Sequence, residues 1–150
     1  MAEILTSTLP DPDYNADLYR DVPVKRLVAW FVDLLLITLL TAVFIPLTLF
    51  TAVFFLPLLF LIVSFFYRWL TITSRSATPG MRFAAIELRG SHGGRLDGSE
   101  AFLHTAGYHI SMAIFPLQLV SIVLMLISDR KQGLTDHFLG TVALNRPAGY

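Results

Sequence analysis

The chain has 150 residues, of which 55% are hydrophobic, and a mean hydropathy of +0.64, which excludes an ordinary soluble composition and points to a membrane protein. Eleven Lys and Arg balance eleven Asp and Glu, and the basic residues are scattered rather than clustered, so a nucleic-acid partner is not expected. Cysteine is absent, which removes disulfides, thiolate nucleophiles and cysteine metal sites and fits a bacterial inner (plasma) membrane.

Residues 1–21 carry Glu3, Asp11, Asp13, Asp17 and Asp21 against Arg20 alone, with Pro10 and Pro12. This reads as an acidic, irregular tail on the surface, and it has neither the basic start nor the apolar run of a signal peptide. From Leu27 to Tyr67 the only charge is Asp33. That stretch is about twice the roughly 20 apolar residues one membrane helix needs, so two spans are expected, about 27–46 and 51–70. The turn belongs near Ile45-Pro46 to Thr51, where proline removes a backbone donor and the hydroxyls of Thr38, Thr41, Thr48 and Thr51 can serve freed backbone groups.

Asp33 needs a reason, because a carboxylate in hydrocarbon costs about 2.5 to 3.5 kcal/mol unless it is paired, neutralised or wetted. Arg26 lies seven residues earlier on nearly the same helix face, but about 10 Å of rise separates the two, too far for an ideal direct contact. Two readings stand side by side: a structural polar lock between helices, or an ion or proton site. Lys25 and Arg26 before the first span and Arg68, Arg75 and Arg82 after the second flank an uncharged turn, so the expected topology is multi-pass with a cytoplasmic amino terminus.

Residues 74–100 are the most polar connection and are expected to hold a small cytoplasmic β-hairpin, with Thr78-Pro79-Gly80-Met81 as a type II turn and Gly90 to Gly94 as the return. Gly93-Gly94 lacks phosphate-loop spacing and reads as a turn. Asp97 and Glu100 have the spacing of a capping box opening the next helix. The hydrophobic segment 101–127 is interrupted by His104, His109, Pro116 and Gln118, leaving either a single tilted span or a hairpin of short arms broken at Pro116. His104 and His109, five apart, diverge on a helix, so a joint metal site is not expected. The end of the chain reads as a short helix over 134–139 stopped by Gly140, then a β-prone piece over 141–144, with His137 as a surface imidazole and 147–150 as a tail.

Three pieces together give a resemblance: Arg26 with Asp33 in the first membrane helix, Thr78-Pro79-Gly80-Met81-Arg82 after the second, and Gly-Leu-x-Asp-x-x-x-Gly-Thr over 133–141. The chain resembles the RDD family of small bacterial membrane proteins over nearly all of 22–146, and the resemblance makes Asp136 the second signature aspartate. The family tail often has His before that Asp, where this chain has Thr135.

The expected fold is an all-α integral membrane protein with two transmembrane helices, a third hydrophobic segment and the small β-hairpin. No catalytic constellation, cofactor site or metal site is read from the sequence, and an enzyme is not expected. The candidate functional residues are Arg26, Asp33 and Asp136. The expected function is transport of a small ion or solute with Asp33 as the intramembrane site; the alternative is an accessory or assembly subunit in which the three charges lock helices together. Expected partners are the lipid bilayer and either further copies of the chain or other membrane proteins.

Overall fold

The computed structural model describes residues 9–146, so the first eight residues of the acidic tail and the 147–150 tail lie outside the described residues. The elements in chain order are α1 (Ala16–Tyr19), α2 (Val22–Leu47), a 3-10 turn (Thr51–Phe55), α3 (Leu56–Arg75), α4 (Pro79–Phe83), β1 (Ile86–Arg89), α5 (Gly98–Ala113), α6 (Phe115–Ile127), α7 (Leu134–Leu139) and β2 (Val142–Asn145).

Helices α2 and α3 are each long and apolar enough to cross a membrane. Each buries one narrow stripe at helical spacing: Ala29, Asp33, Ile37 and Thr41 on α2, and Ser64, Arg68 and Ile72 on α3. Their other faces leave Phe31, Leu35, Leu39, Leu58, Leu61 and Phe66 exposed, which suits contact with lipid tails. Pro46 sits in the last turn of α2, and the chain reverses through Leu49 and Phe50 at positive φ, close to the expected turn. Thr38, Thr41, Thr48 and Thr51 each donate a hydroxyl to a carbonyl three or four residues back, as their positions suggested.

The third hydrophobic segment is not one straight span. It breaks at Ile114, with Pro116 in the first turn of α6, and α5 and α6 meet at a bend of 116°. Proline is tolerated there because its missing N–H is one that a helix start leaves unbonded in any case. At 1.5 Å per residue the arms are about 24 and 20 Å long, each short of a roughly 30 Å hydrocarbon core. The chain after α6 comes back to the start of α2, where Asp136 bonds Arg26, so the returning hairpin is the arrangement that forms.

The expected local β-hairpin does not form, although a two-strand antiparallel sheet does. Its strands are β1 and the distant β2, in the register Ile86 to Asn145 and Arg89 to Val142. Ser76 occupies the other side of β1: its carbonyl accepts from Leu88 N and its hydroxyl donates to the Leu88 carbonyl, while the same hydroxyl accepts from Leu96 N. Leu96 is therefore tied to β1 through Ser76 without being its strand partner. Thr78-Pro79-Gly80 also differs from expectation. It opens α4, with the Thr78 side chain accepting from Met81 N, because the residues that suit a type II turn equally suit an N-cap followed by proline at the first helical position. The Asp97–Glu100 capping box and the stop of α7 at Gly140 are as expected.

A buried cluster joins these parts, with Val22 and Ala29 of α2 packed with Ile72, Met81, Ile86, Leu88, Ala101 and Ala143. Residues 9–21 are more ordered than an irregular tail. Tyr19 is buried with Val142 and Leu144, and its hydroxyl donates to the Pro10 carbonyl at 2.7 Å. Asn145 fixes the same segment by donating to the carbonyls of Asp17 and Arg20, and it accepts from Lys25 Nζ.

Candidate functional site

The two aspartates occupy separate cradles on the wall of one cavity. Asp33 is buried midway along the inner stripe of α2. Its Oδ1 accepts from the Tyr67 hydroxyl at 2.7 Å and from Gly80 N at 2.8 Å, and its Oδ2 accepts from the Thr78 hydroxyl at 2.6 Å. Three donors are therefore aimed at one carboxylate from α3 and from the start of α4, which supplies the pairing that the sequence demanded. Arg26 is not part of it. The nearest cation is Arg68, whose Nη1 stands 3.9 Å from Asp33 Oδ2, outside hydrogen-bond reach.

This cradle explains the Thr-Pro-Gly motif physically. The Thr78 hydroxyl accepts from Met81 N and donates to Asp33, so one side chain caps α4 and ties it to α2. Gly80 passes so close to α2 that a Cβ there would stand 2.1 Å from the Ala29 carbonyl oxygen and 2.7 Å from Asp33 Cγ. Only glycine lets its N–H approach the carboxylate. Arg82, the last residue of the motif, is exposed and has no place in the cradle.

Asp136 is buried on α7 and accepts four bonds. Oδ1 takes His104 Nε2 at 3.0 Å and the Thr141 hydroxyl at 2.7 Å; Oδ2 takes Arg26 Nη1 at 2.5 Å and Gly133 N at 3.1 Å. Because the carboxylate only accepts, His104 must carry its proton on Nε2. The Gly-Leu-x-Asp-x-x-x-Gly-Thr element is thus one structural unit: its first glycine and its final threonine both donate to its aspartate, and Gly140 turns the chain at φ +71° between them. Burial raises the pKa of the Asp136 carboxyl, but the Arg26 charge, with His104 and Thr141, outweighs burial and holds it well below the usual carboxylate range.

Of the three residues singled out by sequence, the structure brings Arg26 and Asp136 together and leaves Asp33 to other partners, two turns along α2 from Arg26. Sequence reasoning missed Tyr67 and Thr78 as ligands of Asp33, and His104 as the imidazole beside Asp136. It also took Arg68 for the boundary of the second span, whereas α3 continues to Arg75 and Arg68 is buried. The spacing of Ser64 and Arg68 was the available signal, since four residues put the arginine on the same face of α3 as another polar side chain. His137 lies exposed, with Nδ1 at 2.8 Å from the Gly133 carbonyl.

Arg26, Asp33, Arg68, His104 and Asp136 all line a cavity of about 480 Å³. The remaining wall is mostly apolar and includes Leu27, Trp30, Met81, Met112, Ile122 and Met125. Tyr108 crosses it, accepting a bond from Trp30 Nε1 at 2.8 Å and lying with its ring centroid 3.8 Å from the Arg68 guanidinium carbon. A concave, largely apolar space with a few convergent polar groups is the usual form of a small-molecule site.

Comparison with curated proteins returned no match, and comparison with solved structures returned none. The family model of the RDD family matches residues 22–140, the stretch that holds the Asp33 cradle, the Asp136 cradle apart from Thr141, and the walls of the cavity; the chain belongs to the RDD family.

Proposed function

We propose that this protein binds a small, largely apolar solute in the cavity beneath α2, as part of a transport function, and that Arg26, Asp33 and Asp136 hold the walls of that cavity rather than ligate a cation. The observation that carries this reading is the state of the two carboxylates: both line the cavity, yet all four of their oxygens are already bonded by donors of the chain itself. A carboxylate with three or four donors on it has little to offer a cation, while an apolar wall has much to offer a hydrophobic body. The expectation that Asp33 is itself the ion site therefore shifts to the space next to it.

The orientation proposed is a multi-pass one with the amino terminus in the cytoplasm of a bacterial plasma membrane. Lys25 and Arg26 stand in the first turn or so of α2, Arg75 at the end of α3, Arg82 in α4, and Arg130 and Lys131 after α6, whereas the α2–α3 turn and the α5–α6 bend carry no charge.

Binding is tested with a neutral chain whose bromine tip quenches tryptophan, ω-bromooctanol, on protein carrying Trp69→Phe so that Trp30 alone reports. Saturable quenching that is lost when Ser111→Leu fills part of the cavity is the expected result. Quenching that is linear in probe and unaffected by Ser111→Leu means that the cavity takes no solute, and leaves the accessory-subunit reading of the three charges.

A further inference from the structure

The two carboxylates on the cavity wall are supplied with donors, but the Arg68 guanidinium on the same wall is not supplied with an acceptor. Arg68 is 5% exposed, and its guanidinium carries five N–H groups in a fixed fork. Among the described residues it makes no hydrogen bond: Nε is enclosed without a partner, and Nη1 stops 3.9 Å from Asp33 Oδ2. What Asp33 could have given is already taken by Tyr67, Thr78 and Gly80. The other cavity arginine, Arg26, is engaged by Asp136.

The Arg68 guanidinium carbon stands 3.8 Å from the Tyr108 ring centroid, a contact with the ring that uses none of its N–H groups, and Arg68 lines the cavity. The Tyr108 hydroxyl accepts from Trp30 and has its own proton uncommitted among the described residues, a second donor beside the first. Arg68 lies seven residues from the carboxy-terminal end of α3, about 10 Å deep by helical rise, and the surrounding wall is formed by Leu27, Trp30, Met112, Ile122 and Met125.

We propose that Arg68 is the anion-binding group of this cavity and that the ligand is an amphipathic anion. Its two-oxygen head, a carboxylate or a phosphate, receives the guanidinium fork and the Tyr108 hydroxyl, and its apolar body fills the Leu27–Met125 side. A planar two-oxygen head is what a guanidinium binds in parallel, and an apolar tail is what the rest of the wall accommodates. Selectivity runs against cations, which meet Arg68 and Arg26, and in favour of anions over neutral analogues of the same length.

This inference rests on the cavity being a solute site, and the experiment separates the two. Trp30 quenching in the Trp69→Phe protein is titrated with ω-bromooctanoate, ω-bromooctanol and ω-bromooctylamine, in a neutral detergent. The expected order is octanoate tightest by about tenfold over the alcohol, with the amine weakest, and Arg68→Gln brings octanoate down to the alcohol. Arg68→Lys, which keeps the charge and loses the fork, retains part of the preference. The ligand series on protein with its native Arg68 reads the charge preference even where Arg68→Gln does not fold. Equal binding of octanoate and octanol overturns the anion site while leaving the solute cavity standing; failure of all three to give saturable quenching overturns both. In phosphatidylcholine nanodiscs, added phosphatidylglycerol that displaces ω-bromooctanoate assigns the head group to an anionic lipid, and persistence of octanoate binding assigns it to a free amphipathic anion.

Discussion

Arg26 and Asp136, 110 residues apart in sequence, meet with Nη1 2.5 Å from Oδ2 and hold the start of the first membrane helix against the end of the chain. The pair is nearly enclosed, with side-chain exposures of 14% and 1%. Removing one member leaves the other buried without its counter-charge, and that loss costs about 3–5 kcal/mol. Arg26→Ala and Asp136→Ala are each expected to lower the unfolding free energy of the purified protein by that order. Arg26→Met with Asp136→Leu removes both charges together and is expected to cost clearly less than the sum, measured as a double-mutant cycle of unfolding free energies.

The Asp33 cradle makes a graded set of predictions. Gly80→Ala drives a methyl group into the Ala29 carbonyl and the Asp33 carboxylate, so α4 must leave α2; the expected result is protein that inserts but melts much earlier. Thr78→Val keeps the shape and loses both hydroxyl bonds, a cost of about 1–3 kcal/mol, whereas Thr78→Ser keeps the hydroxyl and stays within about 1 kcal/mol of wild type. Thermal unfolding followed by circular dichroism orders the three.

The pH dependence of stability follows from Asp136. Its folded pKa lies below the unfolded value, so its contribution is complete above the ordinary carboxylate value of about 3.9 and is lost as pH falls through and below it. Asp136→Asn is therefore expected to be less stable at neutral pH and to show a flatter acid limb between about pH 5 and pH 2. An acid limb as steep as that of wild type would remove Asp136 as the group responsible.

Topology is testable because the chain has no cysteine. Phe50→Cys in the α2–α3 turn and Asp129→Cys after α6 are both exposed positions. A membrane-impermeant thiol reagent should label Phe50→Cys in intact cells and Asp129→Cys only after lysis. Labelling of both in intact cells would contradict the returning hairpin as placed in the bilayer.

Much of this was legible in the sequence because the signals were local. The paired spans were read from one unbroken apolar run, and the Asp97–Glu100 box and the stop at Gly140 from residues within one or two helical turns, while the break at Pro116 was one of two arrangements left open. Asp33 was legible as the exception in an apolar run and Arg26 as the charge at its start, whereas Asp136 came from the family resemblance. What could not be read was who pairs with whom. Asp33 shares a face with Arg26 on α2, yet its ligands come from α3 and α4, and the imidazole beside Asp136 comes from His104, 32 residues earlier. The hairpin was misplaced for the same reason: the turn at Gly90–Gly94 exists, but the ladder of β1 goes to a strand more than fifty residues on, and its other side is occupied by Ser76. Arg68 was hidden by its position, since an arginine near the end of an apolar run looks like a flank until the helix is seen to continue beyond it.

The most direct test of the central claim, that the aspartates hold the cavity and do not ligate a cation, is the unfolding midpoint of the wild-type protein and of Asp33→Asn in sodium, potassium, lithium and choline chloride at equal ionic strength. The expected result is a wild-type midpoint that is the same in all four salts, lowered by the same amount in each by Asp33→Asn. A wild-type midpoint raised by sodium, potassium or lithium over choline, with that increment abolished in Asp33→Asn, would contradict the claim and make Asp33 a cation site.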